Sequence, residues 1–368
     1  MKLCQIYNSA AHYREEIFLL IDRTFDCNFV FGAFLGDIRQ MDTYLLKGKV
    51  RKVENRHLCH GFYWQPKIQG VLTKKYDTFL MLGDTRCLST WLFCIRARLF
   101  HRRKRIFFWS HGWYGKETKV EKFLKKIFFR LPNGGTFLYG NYARELMIKE
   151  GLNPDKLFVI HNSLAYSKQL ALRNKLHAED VYQNHFGNTH PNLFFVGRLT
   201  MVKKLDMAIK ALAKCKEGGH QYNLTFIGDG EAKEELIKLS EELGMTDRVW
   251  FYGACYDETE LGRMIYNADL CVSPGNVGLT AMHSMVFGTP VITHNDFPHQ
   301  MPEFEAIHEG VTGSFYEYGN VDSLANNIVK WFVCHQGRRQ EVRLACFREI
   351  DTKWTPQFQI EVLKRHLL

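Results

Sequence analysis

Short, predominantly apolar segments recur along the whole chain, separated by stretches with helical periodicity. A short apolar run without polar alternation predicts a strand buried on both faces, which is typical of a parallel sheet covered by helices. Eleven such segments are present, at residues 2–7, 27–34, 78–82, 105–109, 136–139, 156–160, 192–196, 222–227, 248–252, 269–272 and 290–293.

The intervening segments repeat apolar residues three and four positions apart, which predicts amphipathic helices. They are residues 13–22, 88–100, 117–130, 141–150, 204–216, 231–243, 258–267, 280–287 and 322–334. The alternation of strands and helices predicts an α/β fold built on parallel sheets.

The polar stretch 167–191 contains no clear strand and separates two such series. A chain of 368 residues is long for a single core and sufficient for two. We therefore predict two doubly wound domains, at 1–170 and 185–354, with residues 355–368 packing back on the first. Ligands of such sheets bind at the carboxyl ends of the strands, so functional side chains are expected in the loops that follow them.

Basic residues are concentrated in the first half of the chain. Residues 1–180 contain 31 Lys and Arg against 16 Asp and Glu, whereas residues 181–368 contain 18 against 23. This excess favours an anionic partner for the first half. Six of the basic residues lie among apolar ones in RARLFHRRKRIFF (96–108). No nucleic-acid-binding motif surrounds the segment, so an anionic membrane face and an ordinary solvated surface are its two main interpretations.

The N-terminal residues MKLCQIYNSAAHYREE lack the apolar core of a signal peptide, and no apolar run approaches the roughly 18 residues that span a bilayer. We therefore expect a cytoplasmic protein. None of the ten cysteines lies in a CxxC pair or a finger-like set. Reduced thiols and no metal site are expected.

Two cations follow the strand predicted at 192–196. Arg198 comes directly after it, and Lys203 lies where the next helix begins. A guanidinium and an ammonium group about five residues apart across such a turn can bind one anion together, and a diphosphate suits them. Solvated surface charges are the alternative.

The segment FIGDGEAKEEL (226–236) also follows a strand and opens a helix. Its glycines, Gly228 and Gly230, flank Asp229. This pattern predicts either a tight turn with a helix cap or part of a phosphate site.

The segment SPGNVGLTAMHSMVFGTPVI (273–292) is the most informative loop. Gly278 permits close backbone approach, and Leu279 and Thr280 begin a helix. The free amides at a helix start attract anions, and no acid in the loop repels a phosphate. Together with the two cations at a neighbouring strand end, this loop predicts a diphosphate site, with an ordinary strand–helix connection as the alternative.

In this order, the motifs resemble the donor half of glycosyltransferase family 4. The resemblance rests on VGRLTMVKKLDMAIKAL (196–212), on FIGDGEAKEEL, on residues 249–292 and on MPEFEAIHEGVTGSFY (301–316). It implies the GT-B fold, with two doubly wound Rossmann-like domains that face a central cleft. It also implies transfer of a sugar from a nucleotide diphosphate sugar with retention of configuration, without a metal or other cofactor.

The resemblance assigns Arg198 and Lys203 to the leaving diphosphate, which their charges stabilise. It assigns Gly278, Leu279 and Thr280 to the helix start whose amides bind the distal phosphate.

Two further positions match the donor half. The resemblance makes Gly228 a donor-binding residue, and Glu303 matches a glutamate late in the family pattern.

The chain departs from the family at two positions. The family carries a Glu-x7-Glu motif in this loop and helix, and here Gly275 and His283 stand at its two positions. A neutral histidine can accept one hydrogen bond and donate another, so His283 can replace the glutamate that binds ribose. A core histidine bonded to a backbone carbonyl is the alternative. Asn276 or Glu303 would take over the sugar contact, and altered or lost activity stays open.

In the first half, Tyr13 and Arg14 follow the first strand, as in some polysaccharide-assembly glycosyltransferases. The resemblance makes both acceptor-binding, with Arg14 on an acceptor phosphate; a surface ion pair is the alternative. His111, in RIFFWSHGWYGKE (105–117), resembles a histidine beside the reacting sugar, and a structural histidine is the alternative.

The sequence thus predicts a cytoplasmic glycosyltransferase at the inner face of the membrane. Its acceptor would be a glycan or a polyprenyl-linked chain in capsule, O-antigen or exopolysaccharide synthesis, and no nucleic acid is expected as a partner. Two alternatives stay open: a nucleotide-sugar epimerase of the same fold, and a nucleotide-binding protein without catalysis.

Overall fold

The computed structural model describes residues 1–33, 39–73 and 75–368. The chain forms two compact units: Met1–Ala165 with Trp354–Leu368, and Tyr166–Lys353. Phe34, the last residue of the strand predicted at 27–34, lies outside the described residues.

The strands, in chain order, are β1 Lys2–Tyr7, β2 Asp26–Gly32, β3 Val50–Val53, β4 Arg56–His57, β5 Tyr63–Trp64, β6 Thr78–Leu82, β7 Arg105–Ser110, β8 Gly135–Leu138, β9 Leu157–Val159, β10 Asn192–Val196, β11 Asn223–Ile227, β12 Val249–Gly253, β13 Leu270–Val272, β14 Val291–His294 and β15 Gly313–Tyr316.

The α-helices are α1 Glu15–Thr24, α2 Leu88–Phe100, α3 Lys119–Phe128, α4 Asn141–Lys149, α5 Tyr166–Arg173, α6 Val181–Phe186, α7 Asp206–Glu217, α8 Lys233–Glu242, α9 Glu258–Asn267, α10 Leu279–Val286, α11 Val321–Cys334, α12 Arg339–Lys353 and α13 Pro356–Leu367. In the part of the chain that the structure describes, none of them is long and apolar enough to cross a bilayer.

Each unit is built on one large parallel sheet, which confirms the predicted α/β class. The sheet of the first unit has the order β3-β2-β1-β6-β7-β8-β9, and that of the second has the order β12-β11-β10-β13-β14-β15. Neighbouring strands of both sheets run parallel. The order reverses between β1 and β6 and between β10 and β13, so each sheet is doubly wound.

The first unit buries both faces of its sheet. Leu3 and Tyr7 of β1 belong to one apolar cluster, which α13 joins through Leu363. Cys4 and Ile6 belong to a second cluster. The alternation follows from the two-residue period of a strand, so β1 is apolar on both sides.

The polar stretch 167–191 contains two helices, α5 and α6. Residues 166–170, assigned to the first domain by the sequence analysis, belong to the second unit. The helix α5 is held there because Arg173 donates hydrogen bonds to both carboxylate oxygens of Asp351 at 3.0 and 2.9 Å.

Candidate functional site

The strand order of the second unit reverses between β10 and β13. The connections that leave these strands diverge, and the carboxyl ends of the strands border a crevice. The loop after β10 carries Arg198 and Lys203, and the loop after β13 carries Gly275, Asn276 and Gly278. These five sequence-predicted residues therefore lie in the loops at the switch point of one sheet.

The loop after β10 packs directly against the loop after β11. A Cβ on Gly228 would lie 1.9 Å from the carbonyl oxygen of Gly197, and one on Gly230 would lie 2.4 Å from that of Leu199. Both glycines also have positive φ values, 158° and 156°. Side chains would separate the two loops, so these glycines fix the path of the backbone around Arg198.

Lys203 bridges the two loops of the switch point. Its Nζ donates hydrogen bonds to the backbone oxygen and to Oδ1 of Asn276, both at 2.7 Å. Burial lowers the pKa of Lys203 to about 8; the charge of Glu303 opposes this shift, and that of Arg198 adds to it. The three charged groups are thus close enough to interact electrostatically.

Two backbones meet at Gly275, the position where the resemblance predicts a glutamate. Its N–H donates to the carbonyl of Lys203 at 2.9 Å. A Cβ at this position would lie 2.4 Å from the carbonyl oxygen of Val202. A glutamate side chain has no room there in this conformation.

Gln300 holds the loop after β13, and the sequence analysis missed it. Its Oε1 accepts the N–H of Val277 at 2.9 Å, while its Nε2 donates to Oγ1 of Thr293 at 2.8 Å. Thr293 in turn donates to the carbonyl of Ser273 at 2.9 Å. No local motif marks Gln300, because its partners lie 7 and 23 residues away.

The start of α10 lies beside the end of β10. Thr280 donates its hydroxyl to the carbonyl of Val196 at 2.9 Å. Gly278 precedes the helix with φ 49° and ψ −146°, a conformation open to glycine. The first amides of a helix have no acceptor within it, so the Leu279 end of α10 presents donors and a partial positive charge.

Arg198 is exposed, whereas Glu303 is buried at 2% exposure. An exposed guanidinium beside a partly buried ammonium group suits an anion that enters from solvent. The charge of Glu303 favours the protonated form of Lys203 and so raises its pKa.

His283 is partly buried on α10. Its Nδ1 lies 3.4 Å from Nε2 of Gln169, a buried side chain of α5. If the amide donates, Nδ1 accepts and Nε2 carries the proton. Gln169 was not anticipated, because the sequence analysis assigned its segment to the first domain.

The first unit places His111 directly after β7. The His111 ring is partly buried, with ring centroids 4.7 Å from Tyr139 and 6.0 Å from Tyr114. Burial, with further contributions from Arg14 and Lys125, lowers the pKa of His111 to about 4. The imidazole is therefore neutral at pH 7 and can act as a hydrogen-bonding group or a base.

Arg14 requires a correction. The sequence analysis placed it at the surface, in contact with an acceptor phosphate or in an ion pair, but it is only 7% exposed. It donates to the hydroxyls of Tyr139 at 2.5 Å and Tyr7 at 3.3 Å. Its guanidinium carbon also lies 4.4 Å from the ring centroid of Trp109. Aromatic rings surround the cation, so Arg14 is a buried structural residue of the first unit.

Tyr13 differs from its neighbour, since its side chain is partly exposed. It remains available to a ligand of the first unit. Its role as an acceptor-binding residue stays a prediction.

A family model covers most of the second unit. Residues 178–343, less than half of the chain, match the model for Glycosyl transferases group 1. The matched region contains both cations and the whole of α10. This region is similar in sequence to glycosyl transferases of group 1, and it contains most of the site described above.

The curated relatives are distant. The uncharacterized glycosyltransferase MJ1607 of Methanocaldococcus jannaschii is 28% identical over 182 residues, 49% of this chain and 42% of that protein. The putative glycosyltransferase EpsD of Bacillus subtilis is 26% identical over 170 residues, 43% of each chain. A glycogen synthase of Thermus caldophilus is 28% identical over 162 residues, 43% of this chain and 35% of the enzyme. The chain thus matches less than half the length of these relatives.

Solved structures resemble the whole chain. Anabaena Alr3699/HepE in complex with UDP superposes with a TM-score of 0.73 at 17% identity, covering 99% of each chain. The lipopolysaccharide outer core galactosyltransferase WaaB superposes with a TM-score of 0.72 at 16% identity, again covering 99% of each. At this identity the likeness establishes the fold, which is GT-B.

Proposed function

We propose that this chain, with a group 1 glycosyl transferase domain on a GT-B fold, transfers a sugar from a nucleotide diphosphate sugar with retention of configuration. One observation carries the proposal: Arg198, Lys203 and the start of α10 lie at the switch point of one sheet. Two cations and a helix start form a complementary site for a diphosphate.

The proposed chemistry follows from where charge develops. When the bond between the sugar and the diphosphate breaks, the leaving diphosphate gains negative charge. Groups that stabilise this charge more strongly in the transition state than in the ground state accelerate the reaction. Arg198, Lys203 and the amides of Leu279 and Thr280 supply that stabilisation.

The nucleoside would be held by α10. We propose that His283 donates from Nε2 to a ribose hydroxyl while Gln169 fixes its ring. Gly228 and Glu303 would support the donor from neighbouring loops, with Asn276 near the sugar.

The acceptor would contact the first unit, with His111 beside the reacting sugar and Tyr13 on the acceptor. We propose a glycan or polyprenyl-linked acceptor of capsule, O-antigen or exopolysaccharide synthesis, used at the cytoplasmic face of a membrane. The resemblance of the Tyr-Arg pair to polysaccharide-assembly enzymes and the basic segment 96–108 support this assignment.

The first experiment is a thermal-shift and hydrolysis screen with UDP-, GDP- and dTDP-sugars. With the best donor, Arg198→Ala should lower turnover about a hundredfold or more, since it removes one cation from the leaving group. Arg338→Ala, which removes an exposed arginine paired with Glu341 in the same unit, is the matched control. Wild-type turnover by Arg198→Ala would refute the diphosphate assignment.

Turnover with and without an acceptor distinguishes this proposal from its two alternatives. An epimerase converts the donor without an acceptor, and a binding protein gives a thermal shift without turnover. Proton NMR of the first product tests retention, because the coupling of the anomeric proton differs between configurations.

We also propose that transfer needs no metal, since protein groups provide the positive charge at the diphosphate. Turnover should then be unchanged by EDTA. A loss that Mg²⁺ or Mn²⁺ restores would contradict this part of the proposal alone.

A further inference from the structure

The helix α3 turns its apolar side outward. Val120, Phe123, Leu124 and Ile127 fall at helical spacing on one stripe, and their exposed fractions are 68, 63, 42 and 40%. Of this helix, only Phe128 is fully buried. A surface helix normally buries such a stripe against its domain.

The lysines of α3 explain this orientation. Lys125 lies 2.7 Å from a carboxylate oxygen of Glu117, while Lys122 and Lys126 lie 2.9 and 2.6 Å from those of Glu150. Ion pairs therefore hold the charged side of the helix toward the domain. The apolar stripe lies on the opposite side of the helix and faces outward.

The helix α2 carries a second exposed stripe. Leu88, Leu92, Ile95 and Leu99 follow one another at spacings of four, three and four residues, and each is at least 38% exposed. Phe100 ends the helix at 73% exposure. The core-facing side of α2 is a different set that includes Phe93 and Cys94, so the exposed stripe is additional to the core contact.

The two helices are neighbours within the first unit. The ring centroids of Trp91 on α2 and Phe128 on α3 lie 4.9 Å apart. Arg98 of α2 donates to the carbonyl of Leu131, just after α3, at 3.0 Å. The exposed stripes thus belong to adjacent helices, and we call them together the α2/α3 face.

The exposed charges around the α2/α3 face are mostly positive. Arg102 and Arg103 follow α2, and Lys119 and Arg130 lie at the two ends of α3; all four are exposed. The helix α2 contains no acidic residue. The single acid of α3, Glu121, is bound to Thr118 in a capping box at the start of that helix.

We propose that the α2/α3 face is a docking surface for an anionic lipid bilayer, in which its apolar side chains enter the interface and its basic ends contact lipid phosphates. Apolar centres flanked by Lys and Arg are the composition of interfacial helices. The inference deepens the proposed function, since a polyprenyl-linked acceptor resides in such a membrane. Lipid binding itself does not depend on catalysis.

The test is flotation of the full chain with vesicles of phosphatidylcholine alone or with phosphatidylglycerol. Wild type should float with the anionic vesicles and less with the neutral ones. Phe123→Ser with Leu99→Ser should lower the partition coefficient about tenfold or more, since two apolar anchors are lost. Arg102→Glu with Arg103→Glu should lower it about a hundredfold, since four charge units change near the surface.

Two exposed residues of α11 in the other unit provide matched controls, Val333→Ser and Lys330→Glu. Both should float like wild type. Light scattering on the same samples measures the oligomeric state. Unchanged flotation of both double variants would overturn the proposal, as would a dimer that dissociates in Phe123→Ser with Leu99→Ser, because the face would then join two copies.

Measuring nucleotide binding and flotation on the same variants distinguishes failure of this inference from failure of the proposed function. The surface variants should keep the wild-type thermal shift with nucleotide, which also shows that they are folded. Arg198→Ala should keep wild-type flotation. Lipid binding without sugar transfer would refute the proposed function and leave the docking surface standing.

Discussion

Lys203 connects the geometry of the switch point to a measurable pH dependence. Two oxygens of Asn276 hold its ammonium group, and burial lowers its pKa to about 8. A bound diphosphate would favour the charged form and raise this pKa again. Binding and protonation at Lys203 are therefore linked.

We predict that the affinity for the nucleotide diphosphate falls as the pH rises from 7 to 9. The titration uses the intact nucleotide diphosphate sugar, whose phosphates are fully ionised in this range, so the change comes from Lys203 losing its proton. Isothermal titration calorimetry at several pH values measures it. Lys203→Arg should be much less sensitive to pH in this range, since a guanidinium stays charged. An equal decline in both proteins would assign the effect to another group.

His111 gives a second prediction at the scale of a residue. Its charged neighbours are positive and lower its pKa, whereas a bound diphosphate would raise the pKa of Lys203. Positive charges disfavour the imidazolium, so removing one should raise the pKa of His111 above its value of about 4. Arg14→Met and Lys125→Met each remove one of the named neighbours. NMR of ring-labelled histidine during a pH titration measures the shift in each variant. A midpoint near 6.5 in the wild type would contradict the buried, neutral state.

At the scale of elements, the C-terminal helix α13 packs on a part of the chain that is distant from it in sequence. Leu363 and Leu367 are buried in the first unit, although residues 166–353 separate them from it in sequence. Arg105 at the start of β7 donates to the carbonyls of His366 and Leu367 at 2.5 and 2.6 Å. The helix is thus a structural part of the first unit.

We predict that Leu363→Ala destabilises the first unit by about 3 kcal/mol, the usual cost of a leucine-sized cavity. Chemical denaturation followed by tryptophan fluorescence measures the change. Leu344→Ala on α12, where the side chain is 50% exposed, is the matched control and should change stability little. Equal effects of the two substitutions would contradict the packing of α13 described above.

The elements also show what the sequence could and could not predict. Strands such as β1 and β10 were placed to the residue because continuous apolar runs are strong signals. The strand β3 was missed, since VRKV is short, lies at a sheet edge and has two charged residues at its centre. The helix α12 was missed too, because its apolar residues form no clear stripe.

The candidate site likewise contains residues whose position the sequence predicts and one residue whose position it does not. Arg198 and Lys203 were predicted to lie at a strand end because both closely follow one apolar run, and they do follow β10, while their role stays a prediction. The position of Arg14 was predicted wrongly, since Trp109 and Tyr139, which enclose it, are distant in sequence. Local pattern locates loops at strand ends, whereas the burial of one side chain depends on several strands at once.

At the scale of the whole molecule, the chain contains two cores, and we predict that nucleotide stabilises them unequally. A ligand raises the stability of the unit that binds it by an amount set by its concentration and affinity. Calorimetry of the wild type should resolve two transitions, and UDP or the preferred nucleotide should raise the one belonging to the second unit. Leu363→Ala should lower the other and identify it. A single transition that moves as a whole would show that the two cores unfold together.

The division of the chain sets the order in which the units can be completed during synthesis. The ribosome makes residues 1–165 first, but α13 is added only after the whole of residues 166–353 has been made. The second unit therefore has all its residues earlier and can fold while the first still lacks a helix. Until α13 arrives, the apolar surface that Leu363 and Leu367 cover stays exposed on the nascent chain. We expect aggregation of the nascent chain to be favoured during that interval, because transiently exposed apolar surface promotes it.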